Sequence, residues 1–359
     1  MKVIIAAGGT GGHIYPGIAV AKEILARGGN EVLFVGARGG IETRIVPDSG
    51  FRIETISSKG LKSVGLAGKL KGLALLPKSF VDSIRIIRKF RPDVVVGAGG
   101  YVTGPVLLMA SFLRVPTLVM DSNALPGFTN RQLAPFVTKA ALTFEEALPH
   151  FGKKGVVIGN PVREEFFEIE PRIAGERLNI LLFGGSQGAR GINTAMVAAL
   201  PHLADVKGRL NITHQTGTAD LENVRRGYAE AGWDEAEVTE YINEIVDKFR
   251  DADLLITRAG ATTCAELAAA GRPAIMVPLP TAADDHQRKN AEAMQDAGAA
   301  RMILQKDLTG ERLAEEIREL LGDRPRLAQM SDAARRLAKR DAAKAAAELI
   351  EQLAVSGEQ

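Results

Sequence analysis

At 359 residues, 46% of them apolar and 25% charged, the chain is long enough for two domains with a core in each. Its single cysteine, Cys264, excludes an internal disulfide and points to a reducing compartment. The net charge of +2 conceals an asymmetry: residues 1–159 carry 20 Lys and Arg against 10 Asp and Glu, and the remainder 25 against 33, so the first half is the one suited to an anionic partner.

The run Met1–Ala7 is too short for a signal peptide. Elsewhere no uncharged apolar stretch reaches the ~18 residues of a membrane span, since Pro105–Met120 is broken by Arg114 and Pro116. A cytosolic chain is expected, touching a membrane only at a surface.

Lys2–Ala6 reads as a buried parallel strand. It runs into Gly8-Gly9-Thr10-Gly11-Gly12-His13, with a helix expected from near Pro16 through Ile18–Ala26. Glycines admit a ligand close to the backbone, and a helix N-terminus offers N–H groups to an anion. His13 stands on this loop, where a base would reach a bound hydroxyl. The spacing is not the dinucleotide G-x-G-x-x-G, although Glu31 stands near the distance of a ribose-binding acid, so this loop alone leaves a nicotinamide enzyme open. Glu31–Val35 is the second expected strand.

Lys59–Arg91 holds nine Lys or Arg and one acid, Asp82, interspersed with Leu and Ile and ending in an expected helix over Phe80–Phe90. Basic residues flanking an apolar helical face suit an anionic membrane surface. Nucleic acid is disfavoured because base-stacking aromatics are missing.

Asp93–Val96 is the next strand, followed by the second loop, Gly97-Ala98-Gly99-Gly100-Tyr101-Val102-Thr103-Gly104, and then by strand Thr117–Met120. A turn at Gly159-Asn160-Pro161 marks the expected domain boundary. The alternation restarts at Asn179–Phe183, with the third loop Gly184–Arg190, and continues through Leu210–Gln215, Asp253–Ile256 and Ala274–Val277. Arg258–Glu266 and Asp284–Asn290 each run from a loop into a helix. From Arg324 the chain is expected to be helical throughout, its last segment packing back on the first domain. Strand–loop–helix units in series make an α/β protein of two Rossmann-like halves. The five histidines show no paired metal-ligand spacing.

In chain order GGTGGHIYPGIAVA, GAGGYVTGP, GNPVR, GGSQGAR, RAGATTCAELAAAGRPAIMVP and DDHQRKNA resemble the motifs of the MurG family of bacterial glycosyltransferases, over nearly the whole chain. The resemblance implies a GT-B fold, two Rossmann-like domains facing across a cleft. Residues 1–159 would bind acceptor and membrane, with helix 341–359 packing back on them, and 160–340 would bind the UDP-sugar. The implied reaction is inverting transfer of N-acetylglucosamine from UDP-N-acetylglucosamine to the muramyl 4-hydroxyl of undecaprenyl-pyrophosphoryl-muramyl-pentapeptide (lipid I). The product is lipid II, made at the cytoplasmic face of the inner membrane with no cofactor or metal required.

Carried over by position, the Ile242 backbone would face uracil and Glu266 the ribose. Arg163, Ser186, Gln187, Gln287 and the turn Ala261-Thr262-Thr263-Cys264-Ala265 would hold the donor diphosphate and sugar, with Thr10, Gly11, Gly12 and Asn123 touching the sugar as well. Gly9, His13, Gly99, Gly100 and Tyr101 would receive the acceptor diphosphate. Lys69, Lys71, Leu73, Leu76, Lys78, Phe80, Arg85 and Arg88 would meet the membrane. His13 is the implied base, with Asp121 the alternative. The sequence departs from the family at Met120-Asp121-Ser122-Asn123, where the family reads His-Glu-Gln-Asn.

Overall fold

The computed structural model describes residues 1–58, 66–123, 125–172, 175–185, 187–282 and 285–357, without the side chains of 66–74. Ser186, Asp284 and the side chains of Lys69, Lys71 and Leu73 lie outside the described residues. The chain forms two units: Met1–Arg163 with Lys339–Gln359, and Glu164–Ala338. The first unit extends past Gly159 because Asn160 is buried and accepts the Ser122 hydroxyl at 3.0 Å, while Arg163 lies 4.4 Å over the Tyr15 ring.

Unit 1 contains seven strands, β1 (Lys2–Ala7), β2 (Glu31–Ala37), β3 (Arg52–Ile56), β4 (Val94–Gly99), β5 (Thr117–Asp121), β6 (Lys139–Leu142) and β7 (Gly155–Val157). Their order is β3-β2-β1-β4-β5-β6-β7, and every neighbouring pair is parallel. Helices cover both faces, so the strands are apolar on both sides rather than alternating. Val3, Ile5 and Ala7 join one core cluster with Ile14 and Ile18, while Ile4 and Ala6 join the other with Ile87 and Leu107. Each of the Val, Ile and Leu side chains contributes about 1.5–3 kcal/mol on burial.

Unit 2 contains β8 (Leu178–Phe183), β9 (Leu210–Gln215), β10 (Glu237–Thr239), β11 (Leu254–Thr257), β12 (Ala274–Met276) and β13 (Ala300–Met302). Their order, β10-β9-β8-β11-β12-β13, matches the first six strands of unit 1, β3-β2-β1-β4-β5-β6, again all parallel. In both sheets the strand order reverses beside the first strand, between β1 and β4 and between β8 and β11. Open α/β sheets bind ligands at the carboxyl ends of the strands at such a reversal.

Two local expectations are corrected. The first helix spans Gly11–Ala26, with Thr10 as its N-cap, so it begins on the glycine loop and Pro16 lies inside it. The N–H groups of His13 and Ile14 both donate to Thr10 O, closing the first turn ahead of the proline. The C-terminal segment is not continuously helical: helices Arg324–Arg336 and Ala342–Gly357 are separated where the chain passes from unit 2 to unit 1. The last helix packs on Gly11–Ala26 through Ala346, Ala347, Ile350 and Leu353, and Arg27 pairs with Glu351 at 2.7 Å. Among the described residues no helix is long and apolar enough to cross a membrane.

Arg272, only 2% exposed, pins unit 2 together. Its guanidinium donates to Phe249 O at 2.8 Å, Arg250 O at 3.0 Å and Glu170 O at 3.3 Å. It thereby satisfies carbonyls at the end of helix Ile245–Asp251, and burial holds its pKa down to about 10. Replacing Arg272 by Met leaves these buried acceptors unsatisfied and is expected to cost about 2–4 kcal/mol. Chemical denaturation checks this, and an unchanged midpoint would contradict it.

Candidate functional site

At the reversal of unit 1, the loops after β1 and β4 lock together backbone to backbone. Gly8 N–H donates to Gly99 O at 3.3 Å. A Cβ on Gly100 would stand 2.0 Å from Gly8 O, and one on Gly99 would stand 2.2 Å from Nδ1 of His13. Both glycines also have positive φ, 83° and 121°. The His13 ring therefore rests on the Cα of Gly99. Burial holds its pKa below the ordinary 6.5, outweighing the nearby Asp121 charge and a hydrogen bond to the Ala98 backbone, both of which favour the protonated form. The ring is thus a neutral imidazole at pH 7, with basic capacity.

Asp121, at the end of β5 and 4% exposed, is occupied differently. It accepts from Asn123 N (2.9 Å), Gly127 N (2.9 Å) and the side-chain amides of Asn130 (2.8 Å) and Asn123 (3.4 Å). Its oxygens organise the turn that carries Asn123, which leaves it poorly placed to accept a proton from a substrate. Gly9 N–H is likewise committed, donating to Glu42 at 3.2 Å, so Gly9 cannot serve an anion through that group. Glu42 was not singled out by sequence. The available signal was an acid five residues beyond a buried strand, among Gly36, Gly39 and Gly40.

Unit 2 repeats the interlock. A Cβ on Gly188 would stand 1.8 Å from Thr216 O, and one on Gly217 2.3 Å from Gln187 O, with Gln187 itself exposed. Gln215 links the same loops, donating to Gly185 O at 2.9 Å and accepting from Ile242 N at 3.2 Å. With its N–H occupied, Ile242 has its carbonyl to offer a ligand. Gln287 Oε1 accepts from Leu279 N at 3.0 Å and Ala259 N at 3.3 Å, tying the ends of β11 and β12. Helix Ala261–Ala270 starts at Gly260 with no side-chain cap; Ala261 to Ala265 are partly buried and Glu266 is buried. Burial pushes the Cys264 thiol up to about 12, so it is not a nucleophile. Asp285 has φ 57° and caps nothing; its carboxylate pairs with Arg288 instead.

The helices after β1, β4, β8 and β11 share a trait. None has a side-chain N-cap bond or an acid in its first turn. By contrast, Thr309 and Asp323 cap the helices that follow them, Gly310–Gly322 and Arg324–Arg336, through Arg312 N and Arg326 N. Uncapped helix starts at both reversals present N–H groups to anions.

Glu31 does not fit a dinucleotide site. It stands at the start of β2, the opposite end from the loops, paired with Lys2 and Arg52 at 3.4 Å each. The basic helix spans Leu66–Phe90. Lys78, Arg85 and Arg88 are exposed; Leu76 and Phe80 are half-buried, with Phe80 packed on the core. Asp82 turns inward to accept Ser57 N–H at 2.9 Å, which keeps the outer face cationic. Val81 (64% exposed) and, on helix Thr103–Phe112, Phe112 (69%) are apolar surface positions that sequence reasoning missed.

Beneath the loops of unit 2, His214 is fully buried between Tyr228 Oη and Asn193 Oδ1, 3.1 Å from each, and Asn193 in turn donates to Thr216 O at 2.9 Å. Burial lowers the His214 pKa to about 4. The unfolded chain, with an ordinary pKa of 6.5, takes up a proton below that pH that the folded chain refuses. Stability is therefore intact above pH 6.5 and lost as pH falls toward 4. Between pH 7 and 5 wild type is expected to lose about 2 kcal/mol more than a His214→Gln variant, measured by urea unfolding. Equal losses would contradict the assignment.

The comparisons agree with this fold. The glycosyltransferase family 28 N-terminal domain matches residues 3–142, and the family 28 C-terminal domain matches 179–349. The chain is 49% identical to the UDP-N-acetylglucosamine–N-acetylmuramyl-(pentapeptide) pyrophosphoryl-undecaprenol N-acetylglucosamine transferase of Anaeromyxobacter sp. (strain Fw109-5), across 98% of this chain and 93% of that protein. It is 47% identical to the protein of the same name from Myxococcus xanthus, across 99% and 94%. The crystal structure of Acinetobacter baumannii MurG superposes with a TM-score of 0.74 at 34% identity, covering 98% of this chain and 99% of that one. The chain belongs to glycosyltransferase family 28, with its GT-B architecture, and within it to the MurG family of UDP-N-acetylglucosamine transferases.

Proposed function

We propose that the chain transfers N-acetylglucosamine from UDP-N-acetylglucosamine to the muramyl 4-hydroxyl of lipid I, with inversion, giving lipid II for peptidoglycan. The observation that carries this reading is the pair of reversals lined by uncapped helix starts, one of which bears the neutral imidazole of His13. His13 accepts the proton of the 4-hydroxyl as its oxygen attacks the anomeric carbon from the face opposite the diphosphate. The bond from that carbon to the diphosphate oxygen breaks, and UDP departs with the bonding pair. Charge developing on the diphosphate is met by the N–H groups at Ala261–Thr263 and at the loop of Gln187, together with Arg163. No cofactor enters this scheme.

In unit 2 the Ile242 carbonyl suits the uracil N3–H, Glu266 the ribose hydroxyls, and the amide nitrogen of Gln287 a phosphate or sugar oxygen. In unit 1 Thr10, Gly11, Gly12 and Asn123 face the sugar, and the Gly99–Tyr101 turn takes the acceptor diphosphate. The cationic outer face of helix Leu66–Phe90, with exposed Val81 and Phe112, supports docking on the anionic cytoplasmic face of the inner membrane. Each basic residue near such a surface adds about 1 kcal/mol.

The purified chain, given radiolabelled UDP-N-acetylglucosamine and a short-chain lipid I analogue, is expected to form labelled lipid II. His13→Ala should lower kcat by at least about 100-fold with donor affinity kept. The wild-type rate should hold through neutral pH and decline only below 6.5, where His13 gains its proton. Label passing to diacylglycerol instead of lipid I, or near-normal kcat in the variant, would contradict the proposal.

A further inference from the structure

Glu42 is fully buried at the start of helix Glu42–Asp48, in unit 1, beneath the first glycine loop. Its two oxygens accept two different backbone donors, Ala37 N at 2.8 Å on Oε1 and Gly9 N at 3.2 Å on Oε2. Three glycines make room for it. A Cβ on Gly8 would stand 2.6 Å from Oε1, one on Gly36 2.6 Å from Cγ, and one on Gly40 2.4 Å from both oxygens. None of these three has the positive φ that would itself require glycine. Space for the carboxylate is therefore what those positions serve. An anion buried under a loop that is to receive an anion is a Coulombic cost, so its retention calls for a compensating geometric role.

Resting on the transfer reaction above, we propose that Glu42 is a positioning residue for the acceptor diphosphate. By drawing Gly9 N–H inward, it turns the N–H groups of Thr10 and Gly11, which have no intramolecular acceptor among the described residues, into the outward face of the loop. The Tyr101 ring lies against Gly9 from the other side, 3.3 Å from where a Cβ would stand. Burial, reinforced by the Glu42 charge, raises the Tyr101 pKa and keeps that phenol a hydrogen-bond donor. Gly8 carries the same constraint to Gly99, and Gly99 to His13. A carboxylate is needed because an amide presents a single acceptor oxygen, whereas here two N–H groups converge on two oxygens.

The test is steady-state kinetics of Glu42→Gln with the lipid I analogue, alongside calorimetric binding of UDP-N-acetylglucosamine. Glu42→Gln is expected to raise the acceptor KM about tenfold while the donor Kd stays within about twofold. Gly40→Ala, whose Cβ would crowd both carboxylate oxygens at 2.4 Å, should shift the acceptor KM in the same direction, and it decides the matter alone if Glu42→Gln does not fold. Val46→Ala, one turn further along the same helix and buried in the core without a hydrogen bond to the loop, should lower Tm and leave the acceptor KM unchanged. Wild-type acceptor KM in both Glu42→Gln and Gly40→Ala overturns the role of Glu42. A wild-type chain inert toward lipid I overturns the transfer reading instead, and the role of Glu42 with it.

Discussion

In unit 1 the loops after β1 and β4 meet with no room for a methyl group between them. Gly8 donates to Gly99, Gly100 faces the carbonyl of Gly8, and the His13 ring lies on Gly99. This main-chain contact fixes where the N–H groups of the first helix point and where the imidazole stands. Side chains then act on a frame already set: Glu42 takes the Gly9 donor, Thr103 ties Gly99 N back to Ala6 O, and Asp121 holds the turn of Asn123. Unit 2 solves the same problem with Gly188 against Thr216 and Gly217 against Gln187, supported from below by Asn193 and His214.

The electrostatics follow from the topology. Parallel strands bring four helix starts to the reversals, each with partial positive charge. Leaving those starts without acidic residues or side-chain caps forgoes roughly 0.5–2 kcal/mol of stability per helix, the usual contribution of a cap. Away from the reversals, Thr309 and Asp323 do cap the helices that follow them. His13 fits the same logic: burial keeps it neutral, so it adds a base without adding charge.

Much of this was legible in the sequence, for definite reasons. Strands buried on both faces, such as β1, β4, β8 and β11, are continuous apolar runs followed by glycines, and both signals are local. The strands that escaped were mostly edges. β3, β7, β10 and β13 close the two sheets, and polar residues such as Arg52, Glu54, Glu237 and Arg301 weaken their apolar signature. The inner strand β6 was hidden by the small residues of Lys139–Leu142. The glycine loops announced a site but not its wiring. That Gly9 N–H is spent on Glu42, Ile242 N–H on Gln215, and the Asp121 oxygens on Asn123, Gly127 and Asn130 depends on contacts between separate segments. Arg163 likewise read as part of the second domain, yet its stacking on Tyr15 places it in the first.

The contact between Gly8 and Gly100 is open to a direct measurement. In Gly100→Ala the new methyl meets Gly8 O at 2.0 Å from a backbone with φ 83°, so the loops must part. Lipid I glycosylation and UDP-N-acetylglucosamine affinity are measured on the same folded sample. Transfer reduced by at least about 100-fold with donor affinity retained is the expected result. Transfer at the wild-type rate would contradict the claim that this main-chain contact sets the acceptor site.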